Sequence, residues 1–138
     1  MVLSDTISLS TKGFCDIQDI TSQVAGILSR AKIKKGTVTV FCPGSTGGVT
    51  TIEYESGVLE DLKKAIERIA PSNIDYAHDR RWGDGNGFSH VRAALLGPSL
   101  SVPVTQGELA LGTWQQIVFI DFDNRSRQRK IVVQVMGE

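Results

Sequence analysis

Apolar residues change their period along the chain, and each change predicts an element. Ile7 and Leu9 alternate with Thr6, Ser8 and Ser10, the period of a half-buried strand. From Asp19 the spacing turns helical. Ile20, Val24, Ile27, Leu28 and Ala31 share one face, with Asp19 or Thr21 available as a cap and an end expected near Lys35 and Gly36. Thr37 to Cys42 is rich in β-branched residues and predicts a strand, stopped by Pro43 and the small residues up to Gly48. Val49 to Tyr54 resumes extended character. Leu59, Leu62, Ala65, Ile66 and Ile69 then form an apolar stripe opposite Glu60, Asp61, Lys63, Lys64, Glu67 and Arg68, which predicts a second helix closed by Pro71. Val91 to Leu96 is too short to assign by period.

The final third predicts strands over Ser99–Val104, Glu108–Leu111, Gly112–Asp123 and Lys130–Met136, with turns near Gln106-Gly107 and Asn124-Arg125-Ser126. In the longest of these, Trp114, Val118, Ile120 and Phe122 fall on a core face. Thr113, Gln115, Asp121 and Asp123 fall on a polar one. About seven strands with two main helices inserted predict an α+β fold: a β-sandwich of mostly antiparallel strands in two sheets. A doubly wound parallel sheet is disfavoured, because helices are missing from the last third.

The 138 residues fit one domain, 1–138, and its 15 basic and 15 acidic side chains cancel. That balance offers no field to attract nucleic acid or anionic lipid, and it favours self-association. Cys15 and Cys42 are too few for a disulfide framework and fit buried thiols in a reduced cytoplasmic setting. The opening residues lack a basic start followed by an apolar run, and no stretch approaches the roughly 18 apolar residues of a membrane span, so no membrane association is expected.

Candidate chemistry concentrates in Asp75–Gly97, DYAHDRRWGDGNGFSHVRAALLG, which carries both histidines around a Gly/Asp/Asn loop. His78 and His90 are too far apart in sequence to share one helical turn, so the loop must fold back to bring them together. If it does, two imidazoles with Asp79, Asp84 or Cys42 match the donor preferences of zinc or a similar divalent ion. Two loop histidines that simply hydrogen-bond satisfy the same sequence. Pro43-Gly44-Ser45-Thr46-Gly47-Gly48 has the hydroxyls and backbone N–H groups of an anion nest, but it lacks the lysine and following helix of a P-loop, and a plain turn fits equally. Arg80, Arg81 and Arg92 lie beside the histidines and can hold a phosphate. Arg125, Arg127, Arg129 and Lys130 face solvent or answer Asp121 and Asp123. Trp114 is expected to anchor the core, and Trp82 to cover a pocket or an interface. Asn124-Arg125-Ser126 matches a glycosylation sequon but has no secretory context.

Taken together, DYAHD, GNGFSHVRAALLGPSLSVPV, GELALGTWQQIVFIDFD and KIVVQVMGE resemble the YjbQ family from about Pro43 to Glu138. The resemblance implies an α+β fold with a two-sheet sandwich and a homotrimer with sites between subunits. For some members it also implies secondary thiamine-phosphate synthase activity. It gives His78 the Y-x-H position and His90 the S-H position, as metal or active-site residues, and puts Glu53 where many members are acidic. Many members begin the Gly/Ser/Thr turn with His-Thr, where this chain has Gly44-Ser45, so a third histidine is missing and Cys42 or Asp84 is left as the possible third ligand.

Two functions follow as expectations. One is a thiamine-phosphate synthase-like transferase with His78 and His90 catalytic. In it Arg92 or Arg80, or a zinc or magnesium ion, neutralises the pyrophosphate, and Ser45, Thr46 and Asn86 hold phosphorylated substrate. The alternative is a non-enzymatic trimer that binds a divalent metal or a small anionic metabolite through the same histidines. Hydrolysis at a metal-bound water ranks below both, because no general base is identifiable. Nucleic acid is not an expected partner.

Overall fold

The computed structural model describes residues 1–138. Its elements run β1 (Val2–Thr11), β2 (Asp16–Asp19), α1 (Thr21–Ala31), β3 (Gly36–Phe41), β4 (Gly47–Ile52), α2 (Ser56–Ile69), α3 (Ala77–Trp82), α4 (Gly87–Leu96), β5 (Ser99–Thr105), β6 (Glu108–Leu109), β7 (Gln116–Asp121) and β8 (Arg127–Gly137). Every strand pairing is antiparallel. One sheet has the order β1-β8-β3-β5-β6 and the other β2-β7-β4. The α+β fold and two-sheet arrangement stand as expected, with eight strands and four helices in place of about seven and two.

The larger core joins α1 to the inner faces of both sheets. Val24, Ile27 and Leu28 pack with Val38, Ile131 and Val133 of the five-stranded sheet and with Ile117 and Phe119 of β7. The opposite face of the three-stranded sheet, Ile17, Val118 and Ile120, packs under Ala93 of α4 and under Leu59, Leu62 and Ile66 of α2. β7 is therefore covered on both sides, which explains the unbroken apolar run Ile117–Ile120.

Several sequence expectations change for physical reasons. The first helix stops at Ala31, where Lys32 turns left-handed, so that Ile33 enters the core and the Lys34 and Lys35 N–H groups bond the Glu138 carbonyl. β2 went unseen because four residues are too few to show a period. The expected strand from Gly112 begins only at Gln116, and Trp114 is 72% exposed on the loop before it, so it anchors no core. The expected polar face of that strand is also overturned. Asp121 and Asp123 are among the least exposed residues, because two arginines from β8 meet them. No helix is long and apolar enough to cross a membrane.

Candidate functional site

The segment expected to be a histidine loop is two helices joined by a tight turn. α3 starts after Tyr76, whose hydroxyl donates to the Pro71 carbonyl at 2.7 Å. It ends at Gly83 in the left-handed conformation, with the Gly83 N–H on the Asp79 carbonyl at 2.7 Å. α4 begins at Gly87, where a Cβ would lie 2.6 Å from the Tyr76 Cβ. Glycine there lets the start of α4 close onto the start of α3. The two imidazoles meet as a result, with ring centroids 4.4 Å apart and planes tilted by 36°.

Around His78 the turn gathers carboxylates. Its Nδ1 lies 3.4 Å from Asp79 Oδ1 and 3.2 Å from Asp84 Oδ1, and one donor atom from each of the three residues falls within 4.8 Å of the others. His78 and Asp79 are mostly covered, while Asp84 is about half open. Each carboxylate is steadied by backbone: Asp79 Oδ1 accepts from the Gly87 N–H at 2.8 Å, and Asp84 Oδ1 from the Asn86 N–H at 3.3 Å. Four ligands about 2.05 Å from a tetrahedral zinc stand about 3.3 Å from one another, the separation found here between imidazole nitrogen and carboxylate oxygens. The cluster can accept a divalent cation, or it can share one Nδ1–H between two carboxylates. His90 lies alongside this donor group rather than within it.

The other sequence candidates are dispersed. Arg92 is buried. Its Nε donates to the Ala70 carbonyl at 2.9 Å, its Nη2 pairs with Glu67 at 2.5 Å, and its guanidinium lies 4.8 Å from the Phe88 ring centroid. Glu67 is held below the usual carboxylate range, first by the Ser72 N–H and then by Arg92. Asn86 is buried and accepts from the Ser89 hydroxyl and from the Asn124 N–H. Ser45 is exposed, whereas the Thr46 hydroxyl is buried, donating to Asp123 at 2.9 Å and accepting from Arg129 at 2.7 Å. Cys42 is buried on the Arg129 side of the molecule, and burial pushes its thiol up, away from the thiolate a metal requires. A Cβ at Gly44 would lie 3.4 Å from Arg129 Nη1, so the position the resemblance gives to a histidine is also beside Arg129. Glu53 is exposed near Asp19, Glu55 and Trp114, and Trp82 is exposed with Arg81 over its ring at 5.8 Å. Arg80 is exposed, 3.9 Å from Asp75.

A buried ionic network adjoins the histidine turn: the arginines expected to face solvent or answer Asp121 and Asp123 do pair with them through Arg127 and Arg129, but in the interior, a burial that the sequence reading did not foresee. Asp121 accepts from Arg129 Nε at 2.7 Å, Arg129 Nη2 at 2.9 Å, the Thr11 hydroxyl at 2.6 Å and the Asp123 N–H at 3.0 Å. Asp123 Oδ2 meets Thr46 at 2.9 Å and Arg127 at 3.1 Å, while Asp123 Oδ1 and Arg127 Nε are left without partners. The signal was present in DFDNRSRQR, where acids and bases alternate with a period of two on either side of a turn. Burial alone would raise the Asp123 carboxyl, but hydrogen bonds from Thr46 and Arg127 outweigh it and hold the group below the usual range. With a depressed folded value, its contribution to stability is present above the unfolded pKa of about 3.9 and is lost as pH falls through the folded one. Urea midpoints are expected to hold steady down to about pH 5 and then drop, and to drop less in Asp123→Asn. An equal acid drop in the variant would remove Asp123 from that role.

Comparison with known proteins agrees with the fold. The family model described as UPF0047 protein YjbQ-like matches residues 5–138. A UPF0047 protein of Methanothermobacter thermautotrophicus is 39% identical, covering 99% of this chain and 94% of the relative. One from Archaeoglobus fulgidus is also 39% identical, covering 94% and 98%. The crystal structure of a YbjQ-like protein of unknown function from Sulfolobus solfataricus superposes with a TM-score of 0.94 at 33% identity, covering 100% of this chain and 99% of that one. By both sequence and fold, the chain belongs to the YjbQ-like UPF0047 family.

Proposed function

We propose that this protein binds a divalent metal ion, best matched by zinc, through His78, Asp79 and Asp84. In this reading His90 stacks on His78, and the loaded site holds a small anionic, phosphorylated ligand. The observation that carries the reading is the spacing of His78 Nδ1 from two carboxylate oxygens, 3.2 and 3.4 Å, which is the edge length of a tetrahedral zinc sphere. A mixed imidazole and carboxylate donor set suits zinc or magnesium better than a softer ion. Bound there, the ion would supply Lewis acidity toward a phosphoryl oxygen. The residues do the remaining work. Asp79 and Asp84 would complete the donor set with His78 Nδ1, the Gly87 and Asn86 N–H groups fix the carboxylates, and Arg81, one helical turn on from His78, adds positive charge for an anion.

The transferase reading, of the thiamine-phosphate synthase type, asks for a cation beside a leaving pyrophosphate and for further residues that hold a second phosphate. Arg92 is already committed to Ala70 and Glu67, and Thr46 to Asp123 and Arg129, so binding without group transfer is the better supported function. Equilibrium dialysis against zinc followed by elemental analysis tests it, with about one zinc per chain expected. Pyrophosphate should then raise the melting temperature of the zinc-loaded protein. Zinc near zero ends the metal reading, and no shift with pyrophosphate or thiamine phosphate ends the anionic-ligand reading.

We further propose a homotrimer in the cytoplasm. The outward face of β1, β8, β3 and β5 is uncovered, and Lys130 is its only charged side chain, the others being residues such as Ser4, Thr6, Phe41, Val132 and Met136. Charge depletion of this kind marks the core of an interface. Sedimentation equilibrium should give about three times the 15.0 kDa chain mass. A monomer would contradict the proposal.

A further inference from the structure

We propose that Asn124, in the turn between β7 and β8, is a positioning residue that holds the Asp84 turn in its ligating geometry. This rests on the metal reading above. The turn itself is soft. Asp84 sits between Gly83 and Gly85, both left-handed with φ of 67° and 63°, and within Gly83–Asn86 the only hydrogen bond is the 3.3 Å contact from the Asn86 N–H to Asp84 Oδ1. A ligand carried on so free a segment needs outside support to stay 3.2 Å from His78.

Asn124 gives that support from two atoms. Its Nδ2 donates to the Asp84 carbonyl at 2.8 Å, and its backbone N–H donates to Asn86 Oδ1 at 3.1 Å. Both ends of the turn are thereby pinned to one residue. Asn124 is in turn anchored firmly, since the preceding Asp123 is buried, binds Thr46 and Arg127 through its carboxylate and accepts the Phe14 N–H on its carbonyl at 2.8 Å. The acceptor on Asp84 is a carbonyl, so the side chain that reaches it must be a donor. An amide of this length fits, and an aspartate would not. The asparagine of the apparent sequon Asn124-Arg125-Ser126 is thus explained from within the fold.

Asn124→Ala removes the side-chain donor at a half-exposed turn position, and Asn124→Ser leaves a hydroxyl too short to reach. In zinc-free protein, both should keep the wild-type melting temperature to within a few degrees and keep the exchange protection of β7 and β8. The Asn86 and Gly87 amides should exchange about ten-fold faster. Zinc, measured by competition with a chelator, should still bind once per chain but about 10- to 100-fold more weakly. Wild-type exchange at these amides together with wild-type zinc affinity would overturn the role of Asn124 while leaving the metal site intact. Absence of zinc from the wild-type protein would overturn the metal reading, and this role with it.

Discussion

His78→Ala is expected to abolish zinc binding, from about one ion per chain to none detectable, while the fold persists. Loss of an outer-shell partner typically weakens a metal site by about 10- to 100-fold, so loss of the only nitrogen donor should exceed that range. Stability should change little, because the imidazole is not a core side chain and lies among polar groups at the surface. Asp84→Asn gives an independent check, since it keeps the shape of the turn and removes one anionic ligand. His90→Ala separates stacking from ligation. Because His90 lies beside the donor group, its loss should weaken zinc without changing the stoichiometry. Elemental analysis after dialysis reads all three. Full zinc occupancy in His78→Ala would remove His78 from the site.

Asp121→Asn should cause the largest loss of stability of any single polar substitution. Asp121 is fully buried and takes four hydrogen bonds, two of them from Arg129, whose side chain is 12% exposed. The hydrogen bonds that Arg129 donates to Asp121 hold its guanidinium even more firmly protonated than usual. Replacing the carboxylate therefore leaves a buried cation with only the more distant Asp123, 3.9 Å away, as counter-charge, and the amide turns a donor toward other donors. Breaking a buried pair from one side costs about 3–5 kcal/mol. Chemical denaturation should show that loss, and the double variant Asp121→Asn, Arg129→Met should recover part of it by removing the stranded charge. A loss below about 1 kcal/mol would mean that the network is not a main support of the sheet.

Periodicity located the elements that have one buried face. The stripes of α1 and α2 and the alternation of β1 and β5 are each half exposed, so their patterns were legible. It failed where burial is not one-sided. β7 lies between two cores, and its continuation carries Asp121 and Asp123 into the interior, where charge pairing with β8 replaces apolar packing. It failed again at α3, whose six residues make under two turns and whose flanking glycines suggested a loop.

At the site, the sequence supplied the residue types but not their meeting. His78, Asp79 and Asp84 were legible as possible ligands from composition and motif. Their convergence depends on Gly87 closing on Tyr76 and on Asn124 reaching across from a distant turn, contacts that no spacing rule encodes. Cys42, Ser45 and Thr46 had suitable chemistry on the Arg129 side of the sheet instead.

Anomalous diffraction at the zinc edge, from crystals of the wild-type protein equilibrated with zinc, tests the central claim most directly. The account predicts one strong peak per chain, at bonding distance from His78 Nδ1 and from an oxygen of Asp84. No peak there, or a peak at another group of residues, would contradict it.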